Sequence, residues 1–206
     1  MSKKPIIVFE GIEGSGKSHH IKIVSRYLDK NKVKYLKIRE PGGSLNSEKI
    51  RKLILNKKSN FNVKTDLLLY LAARSENINL IKKYYKKRVI LIDRFIDSTI
   101  AYQHYGQGID IKIIELIHKF LLKNFKPDFT FLNIVNTKNM NKRLKERKKL
   151  NRYDQFKSKF YKKIQNGYLK IFKKKKDKYL IIDSNLDIKT NKKIIIDKIN
   201  EIIKWV

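Results

Sequence analysis

The chain has 206 residues, 41% of them apolar and 33% charged, a balance that builds a packed core and excludes a wholly disordered protein. No apolar run approaches the roughly 20 residues that span a bilayer. The run after Lys3 and Lys4 is too short for a secretory leader, and the absence of cysteine removes disulfide and thiolate chemistry, so a cytoplasmic chain is expected. The net charge of +31 admits a polyanionic partner, but the lysines are spread along the chain instead of forming one stripe. That distribution favours compositional bias, and no nucleic-acid partner is expected.

In chain order, residues 6–9 form a short β-branched run that ends at a glycine-rich turn. Residues 18–29 have helical spacing, with Ile21, Val24, Tyr27 and Leu28 on one face. Residues 33–38 read as a second strand, closed by the turn REPGG at 39–43. Helical patterns follow at 47–55 and 65–84, and then a buried strand at 89–92 runs into Asp93 and Arg94. An amphipathic helix is expected over 110–124 and a fourth strand over 129–134. Helix resumes from Thr137, breaks at a basic stretch near 147–154, and returns over 156–172. A fifth strand at 179–182 and a closing helix at 188–205 complete the chain. Strands that alternate with helices and are apolar throughout predict a mainly parallel sheet covered on both faces. No internal repeat or long linker divides the chain, so one domain over 1–206 is expected.

GIEGSGKS at 11–18 fits G-x-x-x-x-G-K-[ST] between a strand and a helix. In that context Gly11, Ile12, Glu13, Gly14, Ser15, Gly16, Lys17 and Ser18 form a cradle for a nucleoside triphosphate. Backbone N–H groups and the helix start bind the anion, Lys17 reaches the β- and γ-phosphates, and Ser18 helps hold Mg²⁺. A dinucleotide site is disfavoured because the third glycine of G-x-G-x-x-G is absent. Asp93 ends a buried strand, where a carboxylate can meet Mg²⁺ directly or through water, and Arg94 beside it can grip a phosphate. By themselves these two residues could equally be a strand cap and its ion pair. The chain holds only nine arginines against many lysines, and Arg39, Arg51, Arg74, Arg94, Arg147 and Arg152 all fall in such segments.

FEGIEGSGKS (9–18), REPGG (39–43), YLAAR (70–74), DRFIDSTIAYQ (93–103), KPDFTFLN (126–133) and NRYD (151–154) stand in this order along nearly the whole chain. In this the chain resembles the bacterial thymidylate kinases, enzymes of the P-loop NTPase fold that transfer the γ-phosphate of ATP to dTMP. The resemblance implies a three-layer α/β fold with a five-stranded parallel sheet, a small basic lid at about 143–155, and a homodimer. It implies that Tyr70 stacks on thymine, Arg74 bonds the base carbonyl, and Thr99 and Gln103 read the pyrimidine edge. It further implies that Tyr102 crowds out a ribose 2′-OH, that Arg94 and Arg39 bind the acceptor phosphate, and that Glu13 approaches the sugar 3′-OH and the transfer zone. Pro41 matches a family proline that follows a cis peptide bond.

Members of the family carry their catalytic arginine either in the P-loop or in the lid. Gly14 occupies the P-loop position here, which assigns the part to Arg147 or Arg152. The usual lid pattern D-R-[FI]-E reads N-R-Y-D, which puts the lid's ion pairing in question, and His19 stands where Thr is common. All four histidines are read as structural or solvent-exposed. The competing readings are a kinase for another nucleotide or nucleoside and, from a different class, a nucleic-acid-dependent NTPase.

Overall fold

The computed structural model describes residues 3–123, 125–147 and 151–203. Asn124, the 148–150 part of the expected lid and the end of the expected 188–205 helix lie outside them. Five parallel strands form one sheet in the order β2-β3-β1-β4-β5. They are β1 (Ile6–Gly11), β2 (Tyr35–Arg39), β3 (Val89–Asp93), β4 (Phe129–Ile134) and β5 (Tyr179–Asp183). Each falls within a residue or two of its expected place. The longer helices are α1 (Lys17–Lys30), α2 (Leu45–Leu55), α3 (Val63–Tyr84), α5 (Ile111–Leu122), α6 (Thr137–Lys145), α7 (Ser158–Lys173) and α8 (Ile188–Ile203).

Side chains of period two divide the core between the two faces of the sheet. Ile7, Phe9, Leu91 and Phe131 pack against Val24 and Leu28 of α1 and Ile195 and Ile199 of α8. Ile6, Val8, Ile90 and Ile92 meet Ile78 and Ile81 of α3 and Leu122 of α5. Both faces are therefore buried, as the continuous apolar strands require. Gly11 lies in β1 where a Cβ would clash with the Asn133 carbonyl oxygen, so no larger residue fits there.

One segment departs from ordinary helix. After the short α4 (Ile96–Thr99), residues Ile100–Gly106 wind as a π-helix. Such wide turns concentrate at functional sites. Here α7 lies close against this one, since a Cβ on Gly167 would come within 2.6 Å of Tyr105.

Candidate active site

The C-terminal edge of the sheet sets the floor of the site. Parallel register brings Arg39 opposite Asp93, Asp93 opposite Phe9, and Gly11 opposite Asn133. The P-loop leaves β1 at that edge, with Gly14 at φ 70° and Gly16 at φ 83° turning the chain into α1. Lys17 folds back inside the loop, and its Nζ donates to the carbonyl oxygens of Gly11 and Ile12, each at 2.8 Å. Burial, and then Arg94, push its ammonium down to about 7. Ser18 Oγ lies 3.4 Å from Asp93 Oδ2, while Asp93 Oδ1 is buried with no hydrogen-bond partner among the described residues. This pair suits a hard cation that takes oxygen ligands.

Arg94 has φ 66°, an unusual backbone for so large a residue, and a dense set of contacts holds it there. Its own N–H donates to Phe9 O at 3.0 Å. The guanidinium donates to Gly11 O and to Glu13 Oε1, each at 2.8 Å, and stands 5.1 Å from the centre of the Tyr102 ring. Tyr102 donates to the other Glu13 oxygen, so Glu13, Arg94 and Tyr102 form one unit. Beneath them lies Glu10, whose importance the motif does not reveal. Its carboxylate accepts from Phe95 N at 2.7 Å, from Ser98 Oγ at 2.5 Å and from Tyr168 OH at 3.0 Å. Glu10 thus bolts the strained turn after Asp93 to β1, while burial and nearby Asp97 push its carboxyl up to about 7.

The opposite wall comes from β2, α3 and α4. Arg74 is 2% exposed and donates to Glu40 Oε2 at 2.7 Å, Thr99 Oγ1 at 2.8 Å and Phe95 O at 2.7 Å. The Glu40–Pro41 peptide bond is cis, and Pro41 lines the cleft. Tyr70 lies edge-on to Tyr153 at 5.9 Å, and Gln103 Nε2 is buried with no partner among the described residues. Arg39 pairs with Glu48 at 3.1 Å and keeps just over half of its side chain exposed. Arg51 of α2, which carried no role in the sequence reading, donates to Pro41 O at 2.5 Å and also lines the cleft.

These walls enclose a cleft of about 350 Å³ that runs from the P-loop to Tyr70 and Gln103. Of the sequence candidates, Glu13 to Ser18, Arg39, Pro41, Tyr70, Arg74, Asp93, Arg94, Thr99, Tyr102, Gln103 and Arg147 all border it. Arg152 does not. Its guanidinium turns away to Asp66 Oδ1, at 2.5 Å. Arg147 pairs with Asp154, which also caps the turn at Asn151 by accepting from its N–H at 2.9 Å. The shorter Asp therefore keeps a lid ion pair despite the altered N-R-Y-D pattern. Arg143, from the same basic stretch, braces the P-loop by donating to Gly14 O at 2.9 Å and to Ser184 O at 2.6 Å. His19 borders the cleft, whereas His20 and His118 are buried with hydrogen-bond partners.

The thymidylate kinase family profile matches residues 9–195. The chain is 40% identical to the thymidylate kinase of Thermosipho africanus over 88% of its own length and 90% of that protein. It is 38% identical to the thymidylate kinase of Sulfurihydrogenibium sp., covering 95% of this chain and 96% of that one. The chain belongs to the thymidylate kinase family. Its structure is similar to that of the thymidylate kinase from Ehrlichia chaffeensis, with a TM-score of 0.76 and 31% identity over 97% of this chain and 99% of that one. As a kinase of this family it needs a donor and an acceptor in one cleft, and the P-loop and the Tyr70–Gln103 wall face each other across a single opening.

Proposed function

We propose that this chain transfers the γ-phosphate of ATP to dTMP, giving dTDP and ADP, with the donor on the P-loop and the acceptor against Tyr70, Arg74 and Gln103. One observation carries the reading. A phosphate cradle and a wall of buried, under-committed base-reading groups share one cleft: among the described residues Gln103 Nε2 has no partner, and Arg74 has an N–H to spare. The thymine ring stacks on Tyr70, its carbonyl accepts from Arg74, and Thr99 and Gln103 meet its edge. Tyr102, fixed by Glu13, takes the space a 2′-OH would need.

The acceptor phosphate is an oxyanion already, so no general base is required, and transfer depends on positioning and electrostatics. Arg94, Arg39 and Arg51 neutralise it, with Glu13 orienting Arg94. Lys17 leaves the Gly11 and Ile12 carbonyls for the donor phosphates. Arg147 supplies charge to the group in flight, and the lid excludes water. Ser18 and Asp93 would hold Mg²⁺, which supplies charge neutralisation between the phosphates when bound.

α3 and α5 pack together through Leu67, Leu71 and Ile114 but leave Leu68, Ile113, Leu116 and Phe120 between 49% and 74% exposed. This apolar face supports a homodimer. The chain acts as one catalytic domain in the cytoplasm, and no nucleic acid takes part. Among the described residues no helix is long and apolar enough to cross a membrane.

A coupled ADP-release assay against dTMP, dUMP, dCMP, dGMP and thymidine tests the reading. dTMP should give the highest kcat/KM, and an equal rate with a guanine nucleotide would sink it. DNA-stimulated ATP hydrolysis at physiological salt would favour the nucleic-acid NTPase instead.

A further inference from the structure

The Arg74 guanidinium has five N–H groups, and the described residues take up four of them. Nε donates to Glu40, one Nη2 hydrogen to Phe95 O, and the two Nη1 hydrogens to Thr99 Oγ1 and to His118 Nε2, the last at 2.6 Å. The Phe95 ring centre lies 5.2 Å from the guanidinium carbon. One Nη2 hydrogen is left without a partner among the described residues, and Arg74 borders the cleft. The four partners come from four separate segments: the end of β2, the turn after β3, α4 and α5. His118 is buried on α5 behind Arg74 and does not border the cleft itself.

We propose that His118 is a positioning residue for acceptor choice, holding the Arg74 guanidinium in the plane from which its one uncommitted N–H meets a pyrimidine carbonyl. A guanidinium only donates, so Nε2 is the acceptor, the imidazole proton sits on Nδ1, and the ring is neutral. Burial, followed by Arg74 itself, pushes the imidazole down to about 3, which keeps that acceptor available at every pH of ordinary enzyme work. Without the acceptor, one Nη1 hydrogen would be buried unpaired, and the guanidinium would turn to satisfy it. The turn would carry the spare N–H away from the base. Nothing on the ATP side of the cleft would change.

The inference rests on the pyrimidine-acceptor reading above. His118→Leu and His118→Gln separate orientation from packing, because the amide oxygen of Gln can reach about where Nε2 lies and Leu offers no acceptor. The readouts are KM for dTMP, KM for ATP, the ratio of kcat/KM for dTMP to that for dCMP, and the thermal midpoint. His118→Leu should raise KM for dTMP about tenfold and narrow the dTMP-to-dCMP ratio by a similar factor, with KM for ATP unchanged. His118→Gln should recover most of that ratio even if its thermal midpoint is lowered. A folded His118→Leu that keeps the wild-type ratio would overturn the inference, as would equal impairment of the two variants or a parallel rise in KM for ATP. If the wild-type enzyme itself shows no preference for dTMP over dCMP, the acceptor reading falls and this inference falls with it. A wild-type preference that survives in His118→Leu removes the His118 role alone.

Discussion

Arg152 donates through Nη2 to Asp66 Oδ1 at 2.5 Å, and this bond fastens the lid to the first turn of α3. Tyr153 adds a second tie to the same carboxylate at 3.1 Å. The Phe61 and Tyr153 rings lie 5.7 and 5.1 Å from the guanidinium carbon. Arg147, five positions earlier in the chain, borders the cleft instead.

The two lid arginines should therefore separate kinetically. Arg147→Ala is expected to lower kcat by about 10²-fold or more with little change in KM for dTMP, as when one transition-state donor is lost. Arg152→Ala should instead resemble Asp66→Asn, and the double variant should be no worse than either alone. A double-mutant cycle on thermal or urea unfolding should give a coupling of about 0.5–3 kcal/mol. A larger kcat loss in Arg152→Ala than in Arg147→Ala would reverse the assignment.

Lys17 should make nucleotide binding depend on pH. Its ammonium is pushed down to about 7 in the free protein, and a polyphosphate beside it should raise it towards the ordinary lysine value near 10.4. Between those values ATP binding should take up close to one proton. Calorimetry at pH 8.5 in buffers of different ionisation enthalpy measures this directly, and Lys17→Met should abolish it together with nearly all turnover. The same shift has a sign for stability. From about pH 7 to 10.4 the unfolded chain binds a proton that the folded one does not, so the Lys17 contribution rises with pH across that window. Urea unfolding of Lys17→Met should lack that rise.

Acceptor selectivity should be uneven. The thymine methyl is one small buried group, worth about 0.8 kcal/mol by transfer and roughly 10–200-fold in kcat/KM where packing is tight. dUMP should therefore be a poor but measurable substrate. dCMP should be worse still, because it too lacks the methyl and its 4-amino group would face the spare Arg74 N–H, donor against donor, at a further cost of about 1–3 kcal/mol or more. A steady-state panel that ranked dCMP level with dTMP would remove the roles given to Tyr70, Arg74, Thr99 and Gln103 together.

The apolar face on α3 and α5 should hold two copies together. Phe120→Asp, and more so Leu116→Asp with Phe120→Asp, should shift sedimentation from dimer to monomer without loss of helix content. A wild-type chain that sediments as a monomer at micromolar concentration would exclude this interface.

The sheet, the cradle and most of the cleft were legible before any packing was known. Strands of continuous apolar residues, helices of 3.6-residue spacing and a glycine-rich turn are local signals, readable within ten residues. Gly11, Lys17, Ser18, Asp93 and Arg94 were legible for that reason, and the ordered motifs supplied Tyr70, Arg74, Thr99 and Gln103. Tertiary structure alone decided which arginine faces the cleft. Arg147 and Arg152 stand in the same basic stretch, and only the folded position of Asp66, 86 residues before Arg152, separates them. Glu10 stood in the sequence only as one residue of the FEGIEGSGKS motif just past the expected strand, yet its partners Phe95, Ser98 and Tyr168 lie 85 to 158 residues away. His118 carried no motif at all, because its meaning lies in one lone pair meeting one N–H of Arg74 across 44 residues. Local periodicity records how a segment buries its own face. Which buried donor meets which acceptor is fixed only when separate segments pack, because an unpaired polar group in the interior costs too much to leave alone.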